Sequence, residues 1–181
     1  MKNPHTHKQN EVELKGSENL TSKVSKENKM TQTAFATTPV INIQMVRERE
    51  LFYDGNRLTQ PDMATSAFCA LIGNPDREYF VALLLDGKNK IIGIHTVSQG
   101  SLNQSVVHPR ETFKSAILAN AAAVILAHNH PSGDLTPSSE DIAITRRLKE
   151  AGDILGIKVL DHIIVNTESQ DFKSFCNDGL M

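Results

Sequence analysis

Cysteine is nearly missing from this sequence, and the little there is does not pair. Cys69 and Cys176 are the two thiols in 181 residues and lie far apart along the chain, so no disulfide framework is expected and both thiols should be reduced. Long apolar runs are missing as well. No stretch approaches the roughly eighteen residues of a membrane span, and the opening Met-Lys-Asn-Pro-His-Thr-His-Lys-Gln-Asn lacks the apolar core of a signal peptide. A soluble, cytosolic protein without a membrane partner is therefore expected. Excess charge is the third absence: 19 basic against 21 acidic residues leave a net −2, which gives no general attraction to phosphate backbones. No internal repeat is visible.

What is present is unevenly distributed. The 39% of hydrophobic residues suffice for the core of one ordinary domain, but Met1 to Thr38 holds very few of the large ones. Such a segment cannot offset its ordering entropy by burial, so residues 1–38 read as a disordered polar tail. A weak nucleic-acid arm is the other reading, on Lys15, Lys23, Lys26 and Lys29; Glu11, Glu13, Glu18 and Glu27 are interleaved with them and favour a solvated tail. Residues 39–60 read as a connecting segment, with a strand at Val40 to Val46 from its alternating pattern and a turn at Asp54-Gly55-Asn56. The domain proper spans residues 61–181.

Its pattern predicts alternating helices and strands. Pro61 suits a first helical turn, and Met63, Ala67, Phe68, Ala70 and Leu71 give an apolar face that ends at Gly73-Asn74-Pro75. Glu78 to Leu85 and Ile91 to Val97, separated by Asp86-Gly87-Lys88-Asn89, predict a β-hairpin. A helix follows over Pro109 to Asn120, with Phe113, Ile117 and Leu118 at helical spacing. Ala121 to Ala127 is apolar throughout, as a central strand buried on both faces should be. Thr136-Pro137 predicts a further helix start, and that helix runs through Ile142, Ile144, Leu148 and Ala151 to a stop near Gly152. A last strand is expected from Ile157 to Val165. The class is α/β.

Directly after the central strand comes Ala-His-Asn-His-Pro-Ser-Gly-Asp-Leu-Thr-Pro-Ser-Ser-Glu-Asp, residues 127–141. Histidines at i and i+2 leaving a strand end can aim their rings to one side. A carboxylate on the first turn of the next helix can return to meet them. His128, His130 and Asp141 thus offer three ligands to Zn²⁺ and leave its fourth position open to water, the arrangement of a catalytic rather than a structural zinc. Asp141 lies at the positive end of a helix dipole, which favours the ionised carboxylate that ligation needs.

The spacing His-x-His, seven residues, Ser, two residues, Asp resembles the JAMM signature of the MPN domain, and His-Asn-His-Pro-Ser-Gly resembles the RadC family. The likeness extends over roughly Pro61 to Met181, including His108-Pro109-Arg110-Glu111 and Val159 to Val165. It implies an MPN/JAB-like fold, a curved mixed β-sheet flanked by helices, and a JAMM-type zinc metallopeptidase activity on peptide or isopeptide bonds. It also implies two catalytic roles. Ser138 matches the serine that donates to the oxyanion formed when water attacks a carbonyl. Glu78 is the best match to the upstream glutamate that takes the proton from that water and passes it to the leaving amine.

Each residue has a plainer reading. The two histidines could be hydrogen-bonding groups of a surface loop, Ser138 a helix cap, and Glu78 a charge at a strand entrance. Glu111 is the alternative base, although its place in a first helical turn is explained by the helix dipole. His108 and Arg110 either line the same cleft or cap the helix. Asp161 and His162 interrupt an apolar strand, either paired structurally or as partners of the metal ligands. Asp134 reads as a turn residue and His95 as an ordinary strand histidine. Two other functions stand beside the hydrolase: a DNA repair or recombination accessory, as RadC-like proteins are labelled, and a metal-binding interaction module with latent catalysis. The polar tail has no helix-hairpin-helix pattern to support the first, and intact ligands argue against lost catalysis in the second.

Overall fold

A hairpin starts the sheet. The computed structural model describes residues 38–53, 61–100 and 107–181. Tyr79–Leu85 forms β1 and Ile91–Gln99 forms β2, paired antiparallel. The turn between them is closed by Asp86, whose Oδ1 accepts the backbone N–H groups of Lys88 and Lys90 at 2.8 and 2.9 Å. β1 also pairs antiparallel with β3, Ala123–Asn129. From there the chain crosses over through a helix to β4, Lys158–Val165, which lies parallel to β3. Phe172–Ser174 adds β5 antiparallel to β4. The order β2-β1-β3-β4-β5 makes a mixed five-stranded sheet and puts β3 at its centre.

Helices cover both faces. Helix α1, Pro61–Ile72, lays Ala64, Ala67 and Phe68 on Val81, Leu83, Ile125, Ala127 and Ile163. On the opposite face α2, Pro109–Leu118, and α3, Ser139–Leu155, bring Phe113, Ala116, Ile144 and Leu148 onto Phe80, Ala82, Val124 and Leu126. This double cover explains why β1 and β3 read as continuous apolar runs. Each fully buried Phe or Leu contributes about 2 kcal/mol by its removal from water. These elements belong to one compact unit, Asn42–Met181, and among the described residues no helix is long and apolar enough to cross a membrane.

Several expected boundaries move. Val40 to Val46 forms no strand: its apolar side chains are exposed and it pairs with no strand of the sheet. An alternating pattern without a partner strand does not make a ladder. The turn at residues 54–56 and nearly all of the expected tail lie outside the described residues. The central strand starts and ends two residues later than its apolar run, because His128 and Asn129 continue the register opposite Ile164 and Val165. Ile117, counted on the buried face of α2, is exposed. The cap of α3 is Ser138 rather than Thr136, and the helix passes Gly152 to end at Gly156, whose φ of 71° suits a glycine cap. Gly152 serves packing instead. A Cβ there would lie 2.5 Å from the Ile157 carbonyl oxygen and 3.1 Å from Phe113.

Candidate metal centre

Strand alternation sets the site. His128 follows Val124 and Leu126 on the face covered by α2 and α3, so its ring is driven into the core and is fully buried. The Phe80 ring, opposite in register, stacks on it at 16°. His130 is the first residue beyond β3, two positions on, and reaches the same side while keeping 16% of its side chain exposed. Asp141 arrives from the other direction, at the third residue of α3. Ser138 caps that helix and locks the carboxylate in a reciprocal box. Asp141 N–H donates to Ser138 Oγ at 3.0 Å, while Ser138 N–H and its hydroxyl donate to Asp141 Oδ2 at 2.8 and 2.7 Å.

Three side chains converge. His128 Nε2 and His130 Nε2 lie 3.1 Å apart, His128 Nε2 lies 3.3 Å from Asp141 Oδ1, and His130 Nε2 lies 3.5 Å from Asp141 Oδ2. The two Asp141 distances run to different carboxylate oxygens; with one ligand atom from each residue the three lie within 4.8 Å of one another, close enough to hold one metal ion. The tautomers agree. His130 Nδ1 lies 2.6 Å from the Asp134 carbonyl oxygen, which only accepts, so Nδ1 donates and the neutral ring would present its lone pair at Nε2. His128 Nδ1 is engaged by His162 Nε2 at 2.8 Å, leaving its Nε2 to the cluster. Two imidazole nitrogens and a carboxylate brought together in this way could hold a metal ion. Among the described residues these three form such a group.

Electrostatics follow from the same contacts. Burial would push the Asp141 carboxyl up, but the His128 and His130 side chains beside its oxygens and the Ser138 hydroxyl that donates to it outweigh burial and hold the group well below the usual carboxylate range. Asp141 raises the His130 pKa against the opposing effect of burial, with smaller help from the Asp134 carbonyl and the Glu78 charge. His162 is driven well below its ordinary value, first by burial and then by the neighbouring His128. It is a neutral ring.

The remaining expected residues divide. Glu78 lies one position before β1, two before Phe80 on the same face. The β1–β3 pairing ends at Phe80 opposite His128, and the charge of Glu78 acts on His130. Glu111 instead binds cations of its own helix, Arg110 at 3.2 Å and Lys114 at 2.5 Å. His108 caps α2 by accepting the Arg110 N–H at 3.1 Å. Asp161 is structural: its carboxylate takes the Ser174 hydroxyl at 2.6 Å and the backbone N–H groups of His162 and Cys176. Asp134, the expected turn residue, accepts the Thr136 N–H on Oδ1 at 2.9 Å.

Three residues were not singled out from the sequence. Asn129 points to the face opposite His128. There its side chain accepts the Tyr79 N–H at 2.9 Å and donates to the Arg77 carbonyl at 3.0 Å, clasping the backbone on either side of Glu78. Asn166 donates to the Gly133 carbonyl at 3.1 Å and steadies the turn after His130, where Gly133 has a φ of 73°. Thr145, one helical turn after Asp141, is fully buried. Its position four residues from a ligand was the available signal.

Comparison with known proteins agrees with the motif. The family described as "RadC-like JAB domain" matches residues 58–180. A UPF0758 protein of Geotalea uraniireducens is 57% identical over 125 residues, 69% of this chain and 54% of that protein. One of Geobacter sulfurreducens is 49% identical over 152 residues, 82% of this chain and 66% of that protein. One of Caldanaerobacter subterraneus subsp. tengcongensis reaches 63% over 89 residues, 49% and 38% respectively. The chain spans about half the length of most of the curated relatives it matches. With a JAB-type motif on a mixed sheet and a domain match over most of the folded residues, the chain belongs to the RadC family.

Proposed function

We propose that this chain is a zinc-dependent hydrolase of peptide or isopeptide bonds. The observation that carries the reading is the convergence of His128, His130 and Asp141, whose ligand atoms lie within 4.8 Å of one another, two imidazoles and one carboxylate being a ligand set of catalytic zinc. Zn²⁺ bound there would supply a Lewis acid and a water of lowered pKa. Glu78, whose charge acts on His130 and whose flanking backbone is clasped by Asn129, takes the proton of the attacking water and delivers it to the leaving amine. Ser138 lies one hydrogen bond from a ligand carboxylate. Its hydroxyl turns its proton from Asp141 to the oxyanion as the carbonyl is attacked. A cytosolic setting suits the two free thiols, and the partner is a peptide or protein substrate.

Metal analysis of the purified protein tests the first half, with about one Zn²⁺ per chain expected. Hydrolysis of a peptide library and of isopeptide-linked lysine peptides, with and without a chelator, tests the second. Cleavage that disappears with the chelator and returns with zinc is expected; a zinc-loaded protein inert toward both substrate sets would leave a binding module. No described feature favours the DNA-accessory reading, and it predicts salt-sensitive retardation of DNA by the folded unit.

A further inference from the structure

A chain of three hydrogen bonds joins one ligand of the cluster to another through two side chains that the hydrolytic reading leaves unused. Thr145 Oγ1 lies 2.6 Å from the Asp141 carbonyl oxygen. A carbonyl only accepts, so the single hydroxyl proton of Thr145 points there. His162 Nδ1 lies 2.5 Å from the same hydroxyl oxygen, which has only lone pairs left to offer, so Nδ1 carries a proton. A neutral imidazole has one N–H, which leaves His162 Nε2 a lone pair facing His128 Nδ1 at 2.8 Å. His128 must then donate from Nδ1. Its own lone pair is confined to Nε2, the atom that faces His130 and Asp141.

The geometry points to His162 and Thr145 as positioning residues that fix the tautomer and ring orientation of His128, tying this ligand through α3 to the backbone of Asp141. The inference rests on the zinc reading above. Packing alone does not account for the pair. His162 and Thr145 are both fully buried, and an apolar residue would fill the space without desolvating three polar atoms. The His162 ring lies between Phe80, edge-on at 5.3 Å, and Phe175, stacked at 4.7 Å. Those rings cover it and leave its two nitrogens aimed at His128 and Thr145. Half a turn of the ring would put carbon where each nitrogen sits and break both bonds. Ligating histidines usually donate their second N–H to a carboxylate or a backbone carbonyl; here the carbonyl is reached through two relaying side chains. The relay also makes the two ligands interdependent, because a shift of α3 at Asp141 is felt at His128.

Two measurements on the full chain test this. The first is the ring ¹⁵N spectrum of the zinc-free wild-type protein, which reads the His162 tautomer directly and needs neither metal nor substrate. Protonation at Nδ1 with a bare Nε2 is expected, and protonation at Nε2 would overturn the relay. The second is Zn²⁺ affinity, by competition with a chromophoric chelator, for wild type, Thr145→Val and Thr145→Ser. The valine variant keeps the shape, removes the hydroxyl, and should bind Zn²⁺ about 10- to 100-fold more weakly; the serine variant keeps the hydroxyl and should bind within a few-fold of wild type. Equal affinity in all three proteins, each shown to be folded, would overturn the positioning role. Wild-type protein binding Zn²⁺ no better than His128→Ala/His130→Ala would instead sink the metal reading, and the tautomer spectrum would still decide the relay. Should the valine variant not fold, that spectrum and the serine variant carry the test.

Discussion

The two ends of the β3-α3 unit are built by different means. At one end, where β3 finishes and α3 begins, His128, Asn129, Asp141 and Thr145 are buried polar groups, each with a polar partner within hydrogen-bond distance. At the other, where α3 finishes and β4 begins, Gly152 lies against the Ile157 carbonyl, Gly156 turns the chain, and Phe113 and Val159 close the space. Directional bonds fix atoms to within a fraction of an ångström, and apolar packing fixes volumes. Chemistry should therefore be sensitive at one end and stability at the other.

The largest effect should come from the ligands themselves. His128→Ala/His130→Ala is expected to take zinc from about one ion per chain to a background level and to abolish hydrolysis. The buried His128 ring also leaves a cavity that costs about 2–3 kcal/mol of stability. Metal analysis together with circular dichroism checks both; equal zinc in variant and wild type would refute the site. Next in size is Glu78→Gln, which keeps the hydrogen bonding of the side chain but cannot accept a proton. Turnover should fall about 10²- to 10⁴-fold with zinc retained. Glu111→Gln, whose carboxylate serves Arg110 and Lys114, should leave turnover near wild type. An inactive, zinc-loaded Glu111→Gln beside an active Glu78→Gln would reverse the two.

Gly152→Ala probes the packed end. Its Cβ would meet a backbone oxygen at 2.5 Å, and the oxygen moves only with the turn. A loss of about 2–3 kcal/mol is expected, read as a lowered denaturation midpoint, with zinc affinity of the folded protein unchanged. Weakened zinc binding in that variant would show that the two ends are coupled.

Much of this was legible in the sequence. Patterning placed the helices and the hairpin, because a sheet covered on both faces leaves apolar runs and helices leave spaced ones. The clustering of His128, His130 and Asp141 was legible because one short segment carries all three. Boundaries at the site were less so. Polar His128 and Asn129 ended the apolar run, yet ladder pairing with β4 carries the strand through them. The start of α3 was displaced by two residues while Ser138 read correctly as a cap, because Thr136-Pro137 and Ser138 both satisfy the local rules and only the reciprocal bond with Asp141 selects between them. The roles of His162 and Thr145 depend on distances between segments far apart in sequence. Locally, His162 shows only as a polar break in an apolar strand and Thr145 only as a residue one helical turn after Asp141.

The smallest expected effects sharpen the comparison most, because they can be matched. Ser138→Ala removes the side-chain cap of α3 at about 1 kcal/mol. Gly156→Ala places a Cβ on a left-handed residue, φ 71°, at the other end of the same helix and costs about the same. Both variants should melt a few degrees below wild type. Only Ser138 touches a ligand, holding Asp141 Oδ2 at 2.7 Å, so only Ser138→Ala should weaken Zn²⁺ binding, by roughly tenfold as for other groups that orient a ligand. Its turnover should fall further, by about 10²-fold or more, where the hydroxyl also serves the oxyanion. Ser138→Thr, which keeps an O–H at the cap, should recover zinc affinity. Equal loss of zinc binding in Ser138→Ala and Gly156→Ala would mean that affinity follows helix stability alone, and the division between a chemical end and a packed end would fail.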